Sequence, residues 1–157
     1  MAKPKVKVKK TFDYGKLSRM FPVLTAGMLN MKGGIIHDAI QNGIDLQQDI
    51  EGKDYTEISD NTLVRRKKRG IQGKKLLHVT GKMRQTRVKN ASPTNQIHTI
   101  TAITPYGAEH NEGDPSQNLP QRKWFGIPKS TRRGGPEAKK IDLMWAEALR
   151  RAWKKHG

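Results

Sequence analysis

The amino-acid sequence predicts an α+β chain. Apolar residues recur at helical spacing near both ends, an alternating strand pattern lies between them, and Gly and Pro punctuate the segments. The 157 residues fit one compact domain, and with 34% hydrophobic and 6% aromatic residues its core is modest. The domain is placed at residues 13–157. Residues 1–12 are expected to form a flexible basic arm: Lys3, Lys5, Lys7, Lys9 and Lys10 surround only Ala2, Val6 and Val8, too little apolar surface to fold alone.

The first helix is read from Leu17, Met20, Phe21, Leu24, Met28, Met31, Ile35, Ala39 and Ile40, spaced mostly three or four apart. Its Met-rich stripe is read as helical core rather than a partner groove. Proline is tolerated only in a first turn, so the main helix is expected to restart at Pro22 after a shorter turn. Gly33-Gly34 weakens the middle by about 1 kcal/mol per Gly and suggests a kink or close backbone packing. Asn42-Gly43 is the expected stop. Residues 45–58 read as an acidic loop. Ser59 or Asp60 can cap a short helix through Leu63 and Val64, ended by Gly70, and residues 70–75 read as a flexible basic loop.

Thr80 is placed at the cap of another short helix over residues 82–85. Strands are expected at 86–90 and 96–104 across the turn Ala91-Ser92-Pro93-Thr94-Asn95. In the second strand Ile97, Thr99, Thr101 and Ile103 share one face, Ile100 and Ala102 the other. Residues 106–113 read as one helical turn, 114–118 as a polar loop, 122–127 as a short strand with Trp124 and Phe125, and 128–135 as a basic linker. Pro136 opens a last helix whose Ile141, Trp145, Ala148, Leu149 and Ala152 share a face, with Lys154, Lys155 and His156 complementing its C-terminal dipole.

Charge is the strongest compositional signal. A formal net charge of +17 implies a polyanionic neighbour: nucleic acid, an acidic protein surface or anionic lipid. No acid occurs between Asn61 and Ala108, while Arg65, Arg66, Lys67, Lys68, Arg69, Lys74, Lys75, Lys82, Arg84, Arg87 and Lys89 do. So many unpaired cations cannot be buried together. This tract, above all Arg65, Arg66, Lys67, Lys68, Arg69, Lys74 and Lys75, is expected on a surface facing DNA or an acidic partner. Asp38, Asp45, Asp49, Glu51, Asp54, Glu57 and Asp60 form an acidic block just before it, able to pair within one subunit or between neighbours.

The absence of Cys excludes a disulfide framework, thiol catalysis and Cys-based zinc sites, and suits a reducing cytoplasm. No apolar run approaches the ~20 residues of a membrane span, and the Lys-rich start lacks the apolar region of a secretory signal. Walker, dinucleotide-binding, nucleophile-elbow and zinc-protease motifs are missing, and Gly70-Ile71-Gln72-Gly73-Lys74-Lys75 lacks the spacing of a phosphate loop. Glu109, His110, Glu112 and Asp114 have the residue types of a metal site or proton shuttle. Packed into six residues with no second ligand group, they read instead as a structural His in a solvated acidic loop. The expectation is no enzyme, no metal and no cofactor. Nine aromatics and no zinc ligands leave backbone-directed, salt-dependent contact as the available mode of nucleic-acid binding.

Three stretches in order then carry a resemblance. The first is Tyr55-Thr56-Glu57-Ile58-Ser59-Asp60-Asn61-Thr62, leading into Val64-Arg65-Arg66-Lys67. The second is Leu76-Leu77 followed by Thr80-Gly81-Lys82-Met83-Arg84-Gln85-Thr86. The third runs from Tyr106 through His110 and Gly113 to Leu119-Pro120-Gln121-Arg122-Lys123-Trp124-Phe125-Gly126. Together they resemble the phage virion-morphogenesis and tail-completion family, which includes head–tail joining proteins. Tyr55 stands where Trp is usual, and Lys123-Trp124 replaces the usual Pro or adjoining small residue.

The resemblance implies a small, mostly antiparallel sheet packed against the long N-terminal helix and the C-terminal helix. Tyr106, His110, Gly113, Arg122 and Phe125 would form a structural knot. It further implies a ring, commonly six-fold, in the neck or tail of a virion assembled in the bacterial cytoplasm. Partners would be the chain itself, head-connector and tail-tube proteins, and viral DNA through sequence-independent phosphate contacts, with no membrane. Charge alone argues for a second reading, a free nucleic-acid-binding protein of ribosomal or nucleoid type; a metal-dependent hydrolase built on His110 is the third.

Overall fold

A computed structural model describes residues 14–71, 76–77 and 81–156. The expected basic arm, Lys74, Lys75 and the Thr80 cap lie outside the described residues. The described chain is α+β. Helix α1 (Tyr14–Leu46) leads to α2 (Asp60–Lys68), a 3-10 turn (Lys82–Arg84), strands β1 (Thr86–Lys89) and β2 (Thr99–Ala102), α3 (Gly107–Glu112), 3-10 turns at Pro115–Gln117 and Lys129–Thr131, and α4 (Pro136–His156).

The 33 residues of α1 make a rod about 50 Å long. It does not restart at Pro22 or stop at Asn42-Gly43. Pro22 cannot donate to the carbonyl four residues earlier, yet Met20 and Leu24 on either side of it share a groove with Ala152 of α4, and this packing carries the helix through. Gly43 is also passed. The chain turns instead at Gln47, a left-handed residue (φ 61) with Gln48 N donating to Gly43 O at 2.8 Å. Residues 48–54 close a tight reversal through a Gln48–Asp54 bridge and so are more ordered than the expected loop.

One side of α1 packs on α4, another on the hairpin. Met28, Ile40 and Ile44 are buried, whereas Phe21 and Met31 of the expected stripe are exposed. The hairpin side is polar. Asn30 holds Ala91 from both directions, its Oδ1 accepting from Ala91 N at 2.7 Å and its Nδ2 donating to Ala91 O at 3.0 Å. His37 meets the Thr86 hydroxyl at 2.8 Å, and Gln41 and Asp45 both bond Arg84. Gly33 provides the close packing expected of the Gly pair: a Cβ there would lie 2.1 Å from the His98 ring.

Strands β1 and β2 pair antiparallel in the register Thr86↔Ala102 to Lys89↔Thr99, shorter than the expected strands. Ile100 and Ala102 face inward and Ile97 and Ile103 outward, as the alternation expects. Residues 122–127 form no strand. Their amides are already engaged: Arg122 N donates to His110 O at 2.8 Å, Trp124 N to Arg122 O at 2.7 Å and Phe125 N to Asn111 Oδ1 at 3.1 Å. Three of the six amides are thus not available for a ladder. Pro136 opens α4 as expected, with Ala138, Ile141 and Ala152 buried, although Leu149 is partly exposed. Ile40, Ile44, Tyr55, Leu76, Leu77, Met83 and Trp124 make one buried cluster between α1, the hairpin and α3.

No described helix is long and apolar enough to cross a membrane.

Candidate functional site

The three stretches that carry the resemblance meet at one place. Residues from 55–67, 76–86 and 106–126 supply every described residue lining an open cleft of about 820 Å³. Ile58, Leu76, Leu77, Met83, Tyr106 and Leu119 form apolar walls, while Ser59, Thr62 and Arg66 of the α2 region edge it.

Leu76 and Leu77 are held in the wall by an unexpected residue. The Gln47 side chain at the end of α1 accepts from Leu76 N and donates to Leu76 O at 3.2 Å. Nothing in the sequence marks Gln47 for this, because its partner lies 29 positions away.

Tyr106, His110 and Arg122, three residues of the expected knot, line the cleft. The Tyr106 and His110 rings meet edge-on at 6.0 Å, one turn apart along α3. Gly113 ends α3 at φ +80, and a Cβ there would stand 2.9 Å from Gln121 N. Only Gly permits both the backbone angle and the approach of residue 121. Between them, Asp114 and Leu119 exchange backbone hydrogen bonds at 2.9 Å, closing the polar loop. Trp124, 2% exposed, donates from Nε1 to Gly107 O at 2.9 Å and stacks tilted against Phe125 at 5.3 Å. Trp124 is thus the centre of the knot and Phe125 its half-buried flank. Tyr55, 8% exposed, completes it from the far side.

Arg122 is 6% exposed. Its Nε has no hydrogen-bond partner, nor have Tyr55 Oη and His110 Nδ1, and no ion pair among the described residues joins its guanidinium. Burial, with a contribution from Arg66, lowers the Arg122 pKa. Burial, and next the Arg122 charge, lower that of His110, which keeps its imidazole neutral at neutral pH. Burial pushes the Tyr55 phenol up, so it stays protonated.

The acidic cluster around His110 disperses. Glu109 and Glu112 point to solvent, and the Asp114 carboxylate accepts from Ser116 N, Ser116 Oγ and Gln117 Nε2 at 2.6–2.9 Å. The Ser116 hydroxyl foremost holds its pKa below the usual range. Among the described residues no three His, Asp or Glu are placed to hold a metal ion.

Helix α2 runs along the rim and buries none of its residues. Arg65, Lys67, Lys68 and Arg69 are exposed, while Arg66 leans into the cleft. The acidic block is partly consumed internally, Asp45 by Arg84 at 3.0 Å and Glu51 by Arg132 at 2.7 Å.

No family model matches the chain, and neither the curated proteins nor the solved structures include a match.

Proposed function

We propose that this chain is a structural subunit of a phage neck or tail. It completes the tail and joins it to the head, as a member of a ring around the DNA channel and without catalysis or cofactor. One observation carries the reading: three short stretches, far apart in sequence and resembling the tail-completion family in order and spacing, line a single cleft rimmed by an exposed basic helix. Scattered surface matches would have no reason to converge.

Two further features support it. Arg65, Lys67, Lys68 and Arg69 stand clear of the core, free to meet phosphates or acidic neighbours. Trp153 and Leu143 of α4 are 59% and 71% exposed, which suits a subunit that covers apolar surface by assembling. A free nucleic-acid-binding protein explains the charge and leaves the cleft unused.

Deleting the coding sequence and imaging the resulting particles by negative-stain electron microscopy tests the proposal. The expected outcome is DNA-filled heads and separate tails, restored by the chain supplied in trans. Normal joined particles, or no particle phenotype, would contradict it.

A further inference from the structure

We infer that the cleft over Arg122 is a docking site for an acidic segment of a neighbouring, different protein chain, whose carboxylate supplies the counter-ion that no described residue gives Arg122. The inference deepens the assembly role proposed above and rests on that reading for its biological setting.

The central group is one guanidinium. Arginine does not discharge by losing its proton in a protein, so Arg122 stays cationic although 6% exposed. A buried charge without a partner is strongly unfavourable, and folded proteins rarely leave such groups unmatched. Beside it, Tyr55 Oη and His110 Nδ1 are also buried without partners. Glu57 is the one acid among the described residues lining the cleft; it is exposed and makes no ion pair with Arg122. Among the described residues the site therefore has unpartnered polar groups and no anion paired with Arg122.

The walls select the class of anion. Ile58, Leu76, Leu77 and Leu119 line the same cleft as Arg122, and apolar side chains flanking a carboxylate would fill that space. A nucleic-acid strand, hydrophilic along its length, would leave those apolar walls unfilled. The planar guanidinium also matches a carboxylate bidentately. Outside the cleft, Arg65, Lys67 and Lys68 give an acidic chain a favourable approach.

The test uses the full chain labelled with ¹⁵N and four probes: the capped tripeptide Leu-Asp-Leu at millimolar concentration, its Leu-Asn-Leu analogue, inorganic phosphate, and a short DNA duplex. The readout is the NMR signal of the Arg122 Nε–H and the His110 ring. The Asp peptide should shift both saturably, with the Asn analogue at least about tenfold weaker. R122M should abolish the His110 ring response while leaving the melting temperature of the isolated chain unchanged or higher, since it removes a buried unpaired charge. That readout separates docking from a purely structural role, which expects R122M to destabilise; the wild-type Asp-against-Asn comparison stands even if the variant fails to fold.

No shift with the Asp peptide, equal response to the Asn analogue, or stronger response to phosphate or DNA would each overturn the inference. Displacement of the peptide by the chain itself at rising concentration would make the occupant a second copy and overturn the assignment to a different protein. A chain found in particles whose cleft ignores the peptide would lose this inference and keep its assembly role.

Discussion

Trp124 shows how much one side chain holds. It buries its ring against Gly107, where a Cβ would sit 3.0 Å from the indole, and satisfies its own N–H on the Gly107 carbonyl. Trp124→Ala should cost about 3–5 kcal/mol in urea denaturation; a loss below about 1 kcal/mol would show that the knot is held elsewhere. His110 makes a separate prediction about pH. Its folded pKa lies below its unfolded value, so the unfolded chain binds more protons as pH falls. Stability from this group is therefore full above the ordinary His value of 6.5 and is lost as pH falls through that value towards the lower folded pKa. Melting temperatures between neutral and mildly acidic pH should decline in the native chain, and H110Q should flatten that part of the decline; an unchanged slope would contradict the assignment. The sequence marked Tyr106, His110, Gly113, Arg122 and Phe125 because their order resembles a family pattern. It did not mark Gln47 or the central place of Trp124, because inward orientation there depends on partners distant in the chain.

At the scale of elements, local signals served where local chemistry decides. Ser59, Asp60 and Gly70 bracket α2, and Pro136 opens α4. They failed where packing decides: α1 continues through Pro22 and Gly43, and the amides of Arg122 and Phe125 bond α3 instead of a strand. The polar stripe of Asn30, His37 and Gln41 that fastens the hairpin was also illegible, since a search for apolar periodicity passes over it. Asn30→Ala would leave the buried Ala91 backbone unmatched, at about 1–3 kcal/mol, and should speed amide exchange in β1 and β2 before α4. Uniform acceleration throughout would show that the hairpin is not fastened separately. For α2, replacing Arg65, Lys67, Lys68 and Arg69 with Gln should leave stability within about 0.5 kcal/mol, because none is buried. If these residues meet phosphates, the log–log salt slope of DNA binding should become shallower by about 0.9 for each phosphate that is no longer neutralised. An unaltered slope would remove DNA as the partner of this face.

For the whole molecule, +17 of formal charge and exposed apolar side chains on α4 fit the proposed role of a subunit covered by neighbours. Internal pairs such as Arg84–Asp45 and Arg132–Glu51 do not reduce that net charge, which already counts both partners, and partly exposed pairs of this kind contribute only ~0–1 kcal/mol each. Self-repulsion on this scale weakens the isolated subunit and is relieved by polyanionic neighbours. Composition raises the expectation of a partner, whereas the proposed docking cleft is built from three stretches that only the fold brings together. The most direct measurement is the copy number of this chain per purified particle, by quantitative mass spectrometry against capsid and tail proteins. The expected result is a fixed, small copy number matching a single ring, unchanged by nuclease and high-salt washing. Absence from particles, or a variable amount that washes away with the DNA, would contradict the assembly role and favour a free nucleic-acid-binding protein.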